Sequence, residues 1–231
     1  VTFAGDFHGR LGFCRTATSS KPLHVEGLNG GIKQAFYLIF PSENPETMAK
    51  KEFLDCIQTP RQYLRYVESV IGPFINEINF ALLELVQGEG GINVAQKPMM
   101  QALVQYLKDN QVTVIIDEVQ TGLGRTGAMW ASDIYEVEPD IMTIAKALSG
   151  GVIPIGATIF RSGFGYRKTA EHCNTFGGYP QACVAGLKVL EVMESENLAQ
   201  KSHEMGLVLQ GGLWEARSNS PKAQELVNDI S

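Results

Sequence analysis

An aspartate ends one of the most apolar segments of the chain. Asp117 directly follows Val112-Thr-Val-Ile-Ile, a pattern typical of a buried strand. A carboxylate at that position is costly to remove from water unless a partner compensates its charge. It could cap a helix or form an ion pair, which is common. Alternatively, it could be placed to meet a cation at the mouth of a sheet.

A lysine stands in the corresponding place after the next apolar segment. Lys146 ends the segment that begins at Asp140, and Ala147 and Leu148 follow it. A surface lysine that lays its stem on apolar neighbours is the more frequent case. Here the apolar residues on both sides favour a partly desolvated amine. Desolvation would lower its pKa and favour Schiff-base chemistry.

The glycines from Gly122 to Gly127 match the dinucleotide-binding pattern GxGxxG and follow the strand. Three features argue against that interpretation. Five residues separate the strand from the first glycine, no long helix opens after Gly127, and Asp140 precedes the next strand rather than ending it. A nucleotide-binding module using these glycines remains an alternative of a different class.

The elements that would position these residues are short apolar strands separated by helical patterns. The strands are predicted at Val1–Gly5, Ala35–Phe40, Asn79–Val86, Val112–Glu118, Asp140–Ala145 and Ile155–Phe160. Their nearly continuous apolar character predicts strands that are buried on both faces. Crossovers of this length favour an α/β fold with a mostly parallel central sheet flanked by helices. Ligands of such sheets bind at the carboxyl ends of the strands.

Four helices are predicted from apolar spacing and capping signals. One begins after the N-cap Thr59, with Pro60 in its first turn, and the others start near Pro98, Pro180 and Leu198. The last of them has two consecutive glycines, Gly211 and Gly212, where it could bend.

Composition narrows the class of protein. The 231 residues carry a net charge of −6, which disfavours a nucleic-acid binder or a basic membrane anchor. The four cysteines form no CxxC pair and have no histidine at metal spacing, which predicts reduced thiols, no metal site and a cytoplasmic protein. Residue 1 is valine and lies in a predicted strand, so we expect a piece of a longer protein.

Five segments in one order resemble the motifs of the class III, or ω-type, pyridoxal-phosphate-dependent aminotransferases. That family includes enzymes acting on ornithine, acetylornithine and γ-aminobutyrate. Lys146 lies 29 residues after Asp117, as the Schiff-base lysine of that family does. The matching segments are Phe7–Arg10 (FHGR), Glu84–Gly91 (ELVQGEGG), Asp117–Gly127 (DEVQTGLGRTG), Thr143–Gly151 (TIAKALSGG) and His172–Gly178 (HCNTFGG).

The resemblance implies a fold of PLP-transferase type I and a set of residues that bind pyridoxal 5'-phosphate. Lys146 would hold the cofactor and then act as the base, while Asp117 would keep the ring nitrogen protonated. The remaining cofactor-binding positions would be Phe7 and Val119 on the two ring faces, Gln120 at the ring hydroxyl, His8 in the wall of the site, and Thr175 at the phosphate of a neighbouring subunit.

The resemblance also implies the reaction and its partners. An amino group would pass from an amine or ω-amino acid to an oxo acid or aldehyde in a ping-pong reaction of a homodimer with shared sites. Arg10 would bind a substrate carboxylate, and Glu89 would pair with a carboxylate-binding arginine when the substrate end is uncharged. Related mutases and decarboxylases carry the same motifs and remain alternatives, as does a non-catalytic fragment.

The sequence departs from the family pattern at two positions and in extent. Leu85 replaces the usual proline, and Tyr179 replaces an asparagine near the phosphate. The family's phosphate-binding loop lies upstream of the FHGR motif and has no counterpart here. Residues 1–231 are therefore expected to be an incomplete large domain, with an N-terminal segment and a C-terminal small domain absent from this chain.

Overall fold

The structure is a computed structural model that describes residues 1–12, 14–19, 35–43, 57–168 and 171–226. Its strands are β1 (Thr2–Phe3), β2 (Tyr37–Leu38), β3 (Phe80–Leu83), β4 (Val86–Gln87), β5 (Asn93–Val94), β6 (Thr113–Asp117), β7 (Ile141–Ile144) and β8 (Ala157–Phe160). Its helices are α1 (Cys14–Ala17), α2 (Pro60–Ile71), α3 (Lys97–Asp109), α4 (Ala131–Tyr135), α5 (Pro180–Ser195), α6 (Leu198–Ser218) and α7 (Pro221–Leu226). Two 3₁₀ turns occupy Gly72–Glu77 and Lys146–Ser149.

The central sheet has the strand order β3-β6-β7-β8. The first three of these strands are parallel, and β8 runs antiparallel to β7. Two backbone hydrogen bonds connect Val1 to Phe80 (3.0 Å) and to Leu82 (2.8 Å), which places β1 beside β3. In turn, β1 pairs in parallel with β2. The mostly parallel α/β sheet predicted from the sequence is confirmed.

All six predicted strands are present, each shorter than its apolar segment, and the four predicted helices are present as α2, α3, α5 and α6. Thr59 caps α2 as expected, because its hydroxyl accepts a hydrogen bond from the backbone N–H of Gln62 (3.3 Å). The last predicted helix does not break, since α6 continues through Gly211 and Gly212. The antiparallel hairpin of β4 and β5 was not predicted.

The prediction that the strands are buried on both faces is wrong within the described residues. Burial alternates along β3, β6 and β7, so that one face is buried and the other is half-buried or exposed. The buried face packs against α2 and α3 at β3 and β6, and against α5 at β7. The reason is the period-2 geometry of a strand, which sends successive side chains to opposite faces. Asp117 and Thr143 belong to the less covered face.

Helices α5 and α6 contribute less to the core than their apolar residues suggest. Ala182, Gly186 and Met193 of α5 are buried, whereas Val184 and Leu187 are exposed, and α6 has no buried residue among those described. None of the helices in the described part of the chain combines the length and the apolar character of a membrane-spanning segment. Of the four cysteines, Cys14, Cys173 and Cys183 are free thiols, and Cys56 lies outside the described residues.

Candidate active site

The carboxyl ends of the parallel strands bring the predicted aspartate and lysine to one edge of the sheet. Asp117 is the last residue of β6 and pairs in register with Thr143 of β7, three residues before Lys146. The Nζ atom of Lys146 donates a hydrogen bond to Oε1 of Gln120, which itself lies three residues after Asp117. Lys146 thus contacts the turn that directly follows Asp117.

Asp117 is held by three donors and keeps a small exposed surface. Its Oδ1 accepts hydrogen bonds from the backbone N–H of Val119 (3.0 Å) and the hydroxyl of Thr143 (3.1 Å). Its Oδ2 lies 2.7 Å from Nδ1 of His8. The side chain is 10% exposed, so the carboxylate is largely buried but still reachable from the less covered face.

His8 lies between two carboxylates. Its Nε2 atom is 3.3 Å from Oδ2 of Asp6, and its side chain is 1% exposed. Burial alone would lower the pKa of His8, but the hydrogen bonds and charges of Asp117 and Asp6 outweigh it and raise the pKa to about 9. The sequence placed His8 only in the wall of the site, whereas the structure connects it directly to Asp117.

A third buried carboxyl group lies beside this cluster. Oε2 of Glu84, the residue after β3, accepts a hydrogen bond from the backbone N–H of Phe7 (2.9 Å). Burial, together with the charge of Asp6, raises the pKa of Glu84 to about 7. Three strand ends therefore contribute ionisable groups to the same edge of the sheet.

Lys146 is exposed, so the expectation of a desolvated amine is wrong for the described residues. The physical reason is its place outside the strand. Lys146 opens the 3₁₀ turn that follows β7, with a positive φ of 41°. It lies at an open cavity of about 540 Å³, lined by Ala145, Lys146, Ser149, Gly151, Pro154, Ile155 and Gly156.

The other predicted site residues form two groups, one beside His8 and Asp117 and one exposed. Phe7 and Val119 are half-buried beside His8 and Asp117 respectively, whereas Arg10, Glu89 and Thr175 are exposed. No described contact brings Arg10, Glu89 or Thr175 to Lys146 or Asp117. Their predicted roles toward substrate and phosphate stay predictions.

The glycines of the GxGxxG segment allow α5 and α6 to pack closely against this turn. A Cβ atom on Gly124 would lie 3.1 Å from Met193 of α5, and one on Gly127 would lie 3.0 Å from His203 of α6. The next helix, α4, begins only at Ala131 and has five residues. The strand–turn–helix geometry of a dinucleotide site is therefore not present at this turn.

Glu118, beside Asp117, is a helix cap and not a second reactive carboxylate. Its side chain points away from Asp117's face, is buried, and accepts hydrogen bonds at the N-terminus of α4 from the backbone N–H groups of Ala131 (3.1 Å) and Ser132 (2.7 Å). The hydroxyls of Ser132 (2.8 Å) and Thr121 also donate to it. For Glu118 the common interpretation of an acid after an apolar strand is correct.

Sequence reasoning missed Asp6, Thr143 and Gly88. Asp6 is fully buried two residues before His8, and an acid so close to a histidine after a strand is a signal that could have identified the pair. Thr143 lies inside β7 and gave no signal. A Cβ atom on Gly88 would lie within 2.4–2.7 Å of the Gln120 side chain, so this glycine leaves the room that Gln120 occupies.

Comparison with known proteins agrees with this geometry. The sequence profile of aminotransferase class-III matches residues 1–228. The acetylornithine aminotransferase of Archaeoglobus fulgidus is 34% identical over 209 residues, which cover 89% of this chain and 48% of that protein. The acetylornithine aminotransferase of Gloeobacter violaceus is 41% identical over 132 residues, 57% of this chain and 33% of that protein. The chain thus spans about a third to a half of these relatives.

Solved structures show the same fold. A Bacillus anthracis aminotransferase superposes with a TM-score of 0.82 at 27% identity, covering 100% of this chain and 51% of its own. An amine transaminase from an uncultivated Pseudomonas species, in the PLP-bound (internal aldimine) form, gives 0.78 at 28% identity, with 92% and 49% covered. The prediction of a PLP-transferase fold of type I is confirmed. With its profile match, its relatives and its fold in agreement, the chain belongs to the class III aminotransferases, a family of pyridoxal-phosphate-dependent enzymes.

Proposed function

We propose that this protein transfers an amino group from an amine or ω-amino acid to an oxo acid or aldehyde, using pyridoxal 5'-phosphate. The observation that carries the proposal is the edge of the sheet where Lys146 bonds to Gln120 beside Asp117. The relatives named acetylornithine aminotransferase, and an ornithine aminotransferase from Toxoplasma gondii at 25% identity, support a donor with a primary amine on a carbon chain.

The described residues fit the cofactor. Pyridoxal phosphate, when bound, supplies an electron sink for carbanion chemistry. Asp117 has three of about four acceptor sites occupied, which leaves one for a protonated ring nitrogen. Lys146 offers an exposed amine at a cavity of about 540 Å³. Phe7 and Val119, both half-buried, are proposed for the two faces of the ring.

Each of these residues has a task that its position supports. Lys146 would be the covalent attachment point and would afterwards accept and return a proton at the substrate carbon. Gln120 accepts the hydrogen bond of Lys146, and its amide N–H₂ remains a donor for a ring oxygen. Asp117 would stabilise positive charge on the ring nitrogen, an electrostatic effect that is often the largest in catalysis.

Substrate recognition is proposed for two exposed residues. Arg10 would bind a substrate carboxylate through its planar pair of N–H donors, which matches a carboxylate better than a lysine does. Glu89 would pair with a carboxylate-binding arginine when the substrate end is uncharged. Arg10→Lys should raise the Michaelis constant of a carboxylate donor and leave cofactor binding unchanged. Loss of the cofactor in that variant would mean that Arg10 is structural.

We also propose that the protein acts as a homodimer in which Thr175 contacts the cofactor phosphate of the second subunit. The exposure of the whole segment from residue 171 to 180, which includes Thr175, supports a contact made with another chain. Light scattering after size exclusion would measure the assembly. Thr175→Ala should weaken cofactor binding in the dimer, and a monomer that binds the cofactor fully would contradict the proposal.

A cytoplasmic location and the large-domain assignment stay predictions.

Borohydride trapping tests the proposed function directly. The protein is incubated with pyridoxal phosphate and reduced, and its peptides are mapped by mass spectrometry. A pyridoxyl group should be found on Lys146, should disappear in Lys146→Ala, and should persist in Lys188→Ala, whose exposed lysine pairs with Glu191 on α5. Labelling of another lysine would refute the assignment.

Half-reaction assays separate the alternatives. Conversion of 2-oxoglutarate or pyruvate to the amino acid by the amine-loaded protein would establish transfer. A related mutase or decarboxylase would release a rearranged or decarboxylated product without that acceptor. Titration with NAD tests the nucleotide-binding alternative, for which the packed glycines at Gly124 and Gly127 predict no binding.

A further inference from the structure

Glu84 lies in the same row of the sheet as two residues of the candidate site. Leu83 pairs with Ile116 across β3 and β6, and the next residue of β6, Asp117, pairs with Thr143 of β7. Since β3 and β6 are parallel, the residue after Leu83 lies beside Asp117. Alternation along β3 puts the side chain of Glu84 on the less covered face, where that of Asp117 also lies. A carboxyl group on the face of the site thus has no task in the proposed reaction.

The carboxyl group of Glu84 is bonded to a distant part of the chain. Its Oε2 atom accepts a hydrogen bond from the backbone N–H of Phe7 (2.9 Å), across a separation of 77 residues. Glu84 is 5% exposed, so water competes little for this N–H group. The contact therefore fastens the segment after β1 to the end of β3.

Side chains hold the backbone of this segment where the strand ladder stops. The pairing of β1 with β2 ends at Phe3. Beyond it, the N–H of Phe7 donates to Glu84, and the N–H of His8 donates to the hydroxyl of Thr18 (3.0 Å). The path of the chain at Phe7 thus depends on an acceptor that β3 supplies.

The position of the Phe7 backbone determines where its ring can lie. Phe7 is half-buried and is proposed for one face of the cofactor ring. Its backbone nitrogen and its Cβ atom are both attached to the Cα atom, so a fixed N–H group limits the positions that the phenyl ring can take. Two aromatic rings attract each other only within a narrow range of offsets, with centroids about 4.5–7 Å apart.

The charge of Glu84 changes the strength of its bond to Phe7. Burial and the charge of Asp6 raise the pKa of Glu84 to about 7, although the N–H of Phe7 and the charge of His8 act against them. Asp117 is the other ionisable group that faces it and raises the pKa further. A protonated carboxyl group still accepts through its carbonyl oxygen, but a bond to the charged form is about twice as strong. The hold on Phe7 is therefore strongest above neutral pH.

We propose that Glu84 is a positioning residue that holds the backbone of Phe7 so that the phenyl ring lies against one face of the cofactor ring. This inference rests on the proposed function. It gives Glu84 a task that the family resemblance did not assign, since Glu84 acts through Phe7 and not by contact with the cofactor.

The first experiment needs neither cofactor nor activity. The protein is made with isotope-labelled phenylalanine, and the amide signal of Phe7, identified by its loss in Phe7→Leu, is followed by NMR as the pH changes. The signal should shift with a midpoint of about pH 7, as its acceptor ionises. The shift should vanish in Glu84→Gln and persist in Glu77→Gln, where an exposed glutamate just before β3 is changed. A shift that survives in Glu84→Gln, or none near pH 7 in the unaltered protein, would overturn the inference.

The second experiment is a double-mutant cycle on the binding of pyridoxal 5'-phosphate. Glu84→Leu and Phe7→Leu should each weaken binding by about threefold to tenfold, as for the loss of one aromatic contact. The double variant should bind no more than about twofold more weakly than Phe7→Leu, because Glu84 acts through Phe7. Glu84→Gln keeps an accepting oxygen and should bind within about twofold of the unaltered protein.

The outcomes of the cycle separate positioning from a general loss of structure. Losses that multiply in the double variant, or a Glu84→Gln variant as weak as Glu84→Leu, would show that Glu84 does not act by holding Phe7 and would overturn the inference. Failure of the unaltered protein to bind pyridoxal phosphate would instead refute the proposed function, and the inference with it.

Discussion

The carboxylate of Glu118 offers a sharp test of how the segment after β6 is held. It is buried with 1% of its surface exposed and accepts four hydrogen bonds, two on each oxygen. Three of the donors come from Ala131 and Ser132 at the start of α4. The change Glu118→Gln keeps the shape of the side chain, removes its charge, and replaces one accepting oxygen with a donating N–H₂ group.

The size of the effect follows from counting donors. The amide oxygen of glutamine can serve two of the four donors, and its N–H₂ group must face the other two. Hydrogen bonds to a charged group contribute about 1.5–3 kcal/mol each, so the loss of two predicts a decrease of about 3–6 kcal/mol in the free energy of unfolding. That is a large share of the stability of a typical domain, about 5–15 kcal/mol.

Urea denaturation followed by circular dichroism measures this decrease. The matched control is Glu136→Gln at the opposite end of α4, where an exposed carboxylate pairs with Lys97 (2.7 Å) and its change should leave the stability nearly unchanged. Ser132→Ala removes a single hydroxyl donor to this carboxylate and should cost about 1.5–3 kcal/mol. In the double variant the two effects should not add, because the partners are the same. A loss in Glu118→Gln no larger than in Glu136→Gln would refute the reasoning.

Three further predictions concern the cluster and its glycines. The pKa of His8 rises from 6.5 to about 9 on folding, so its stabilisation, at most roughly 3 kcal/mol, is complete below pH 6.5 and lost as the pH rises through 9. Denaturation across that pH range should show a decline in the free energy of unfolding that is absent in His8→Asn. An equal decline in the unaltered protein and in the variant would contradict this prediction. Gly88→Ala should displace Gln120 and weaken pyridoxal phosphate binding severalfold, while the free energy of unfolding changes by less than about 1 kcal/mol. Unchanged binding would show that the Gln120 side chain can shift without loss of the cofactor. Gly124→Ala, at a φ of +82° and against α5, should destabilise by about 1–3 kcal/mol in thermal denaturation, and by more than Gly151→Ala, which has a φ of +80° and no neighbour within 4 Å.

Much of the fold could be predicted because most of its strands lie within apolar segments of the sequence. In the strand at residues 113–117, four strand-forming residues precede an aspartate, and this pattern is visible without a structure. The hairpin of β4 and β5 could not be predicted in the same way. Its two strands have two residues each, and the apolar segment Asn79–Val86 runs from β3 into β4, so no separate apolar segment marks the hairpin.

The candidate site was predictable in its composition but not in its contacts. Asp117 and Lys146 are recognisable because each follows an apolar segment, yet the contact of Lys146 with Gln120 depends on the path of two turns. The exposure of Lys146 could not be foreseen, since the apolar segment does not reveal that its strand ends before Lys146 and that a 3₁₀ turn begins there. Asp6 is harder to assign because Gln87, 81 residues away, is brought to it only by the folded sheet, although its closeness to His8 in sequence was visible.

The separation in sequence of the site residues has a consequence for the order of folding. The His8–Asp117 contact closes 109 residues, and the Phe7–Glu84 contact closes 77. Contacts of such range pay a large loop-closure entropy and form slowly, whereas the neighbouring strands β6 and β7 are joined by a much shorter crossover. The sheet from β3 to β7 can thus assemble before β1 docks against β3. Only that docking brings Asp6 and His8 to Asp117, so the charged cluster would be completed in a late step of folding.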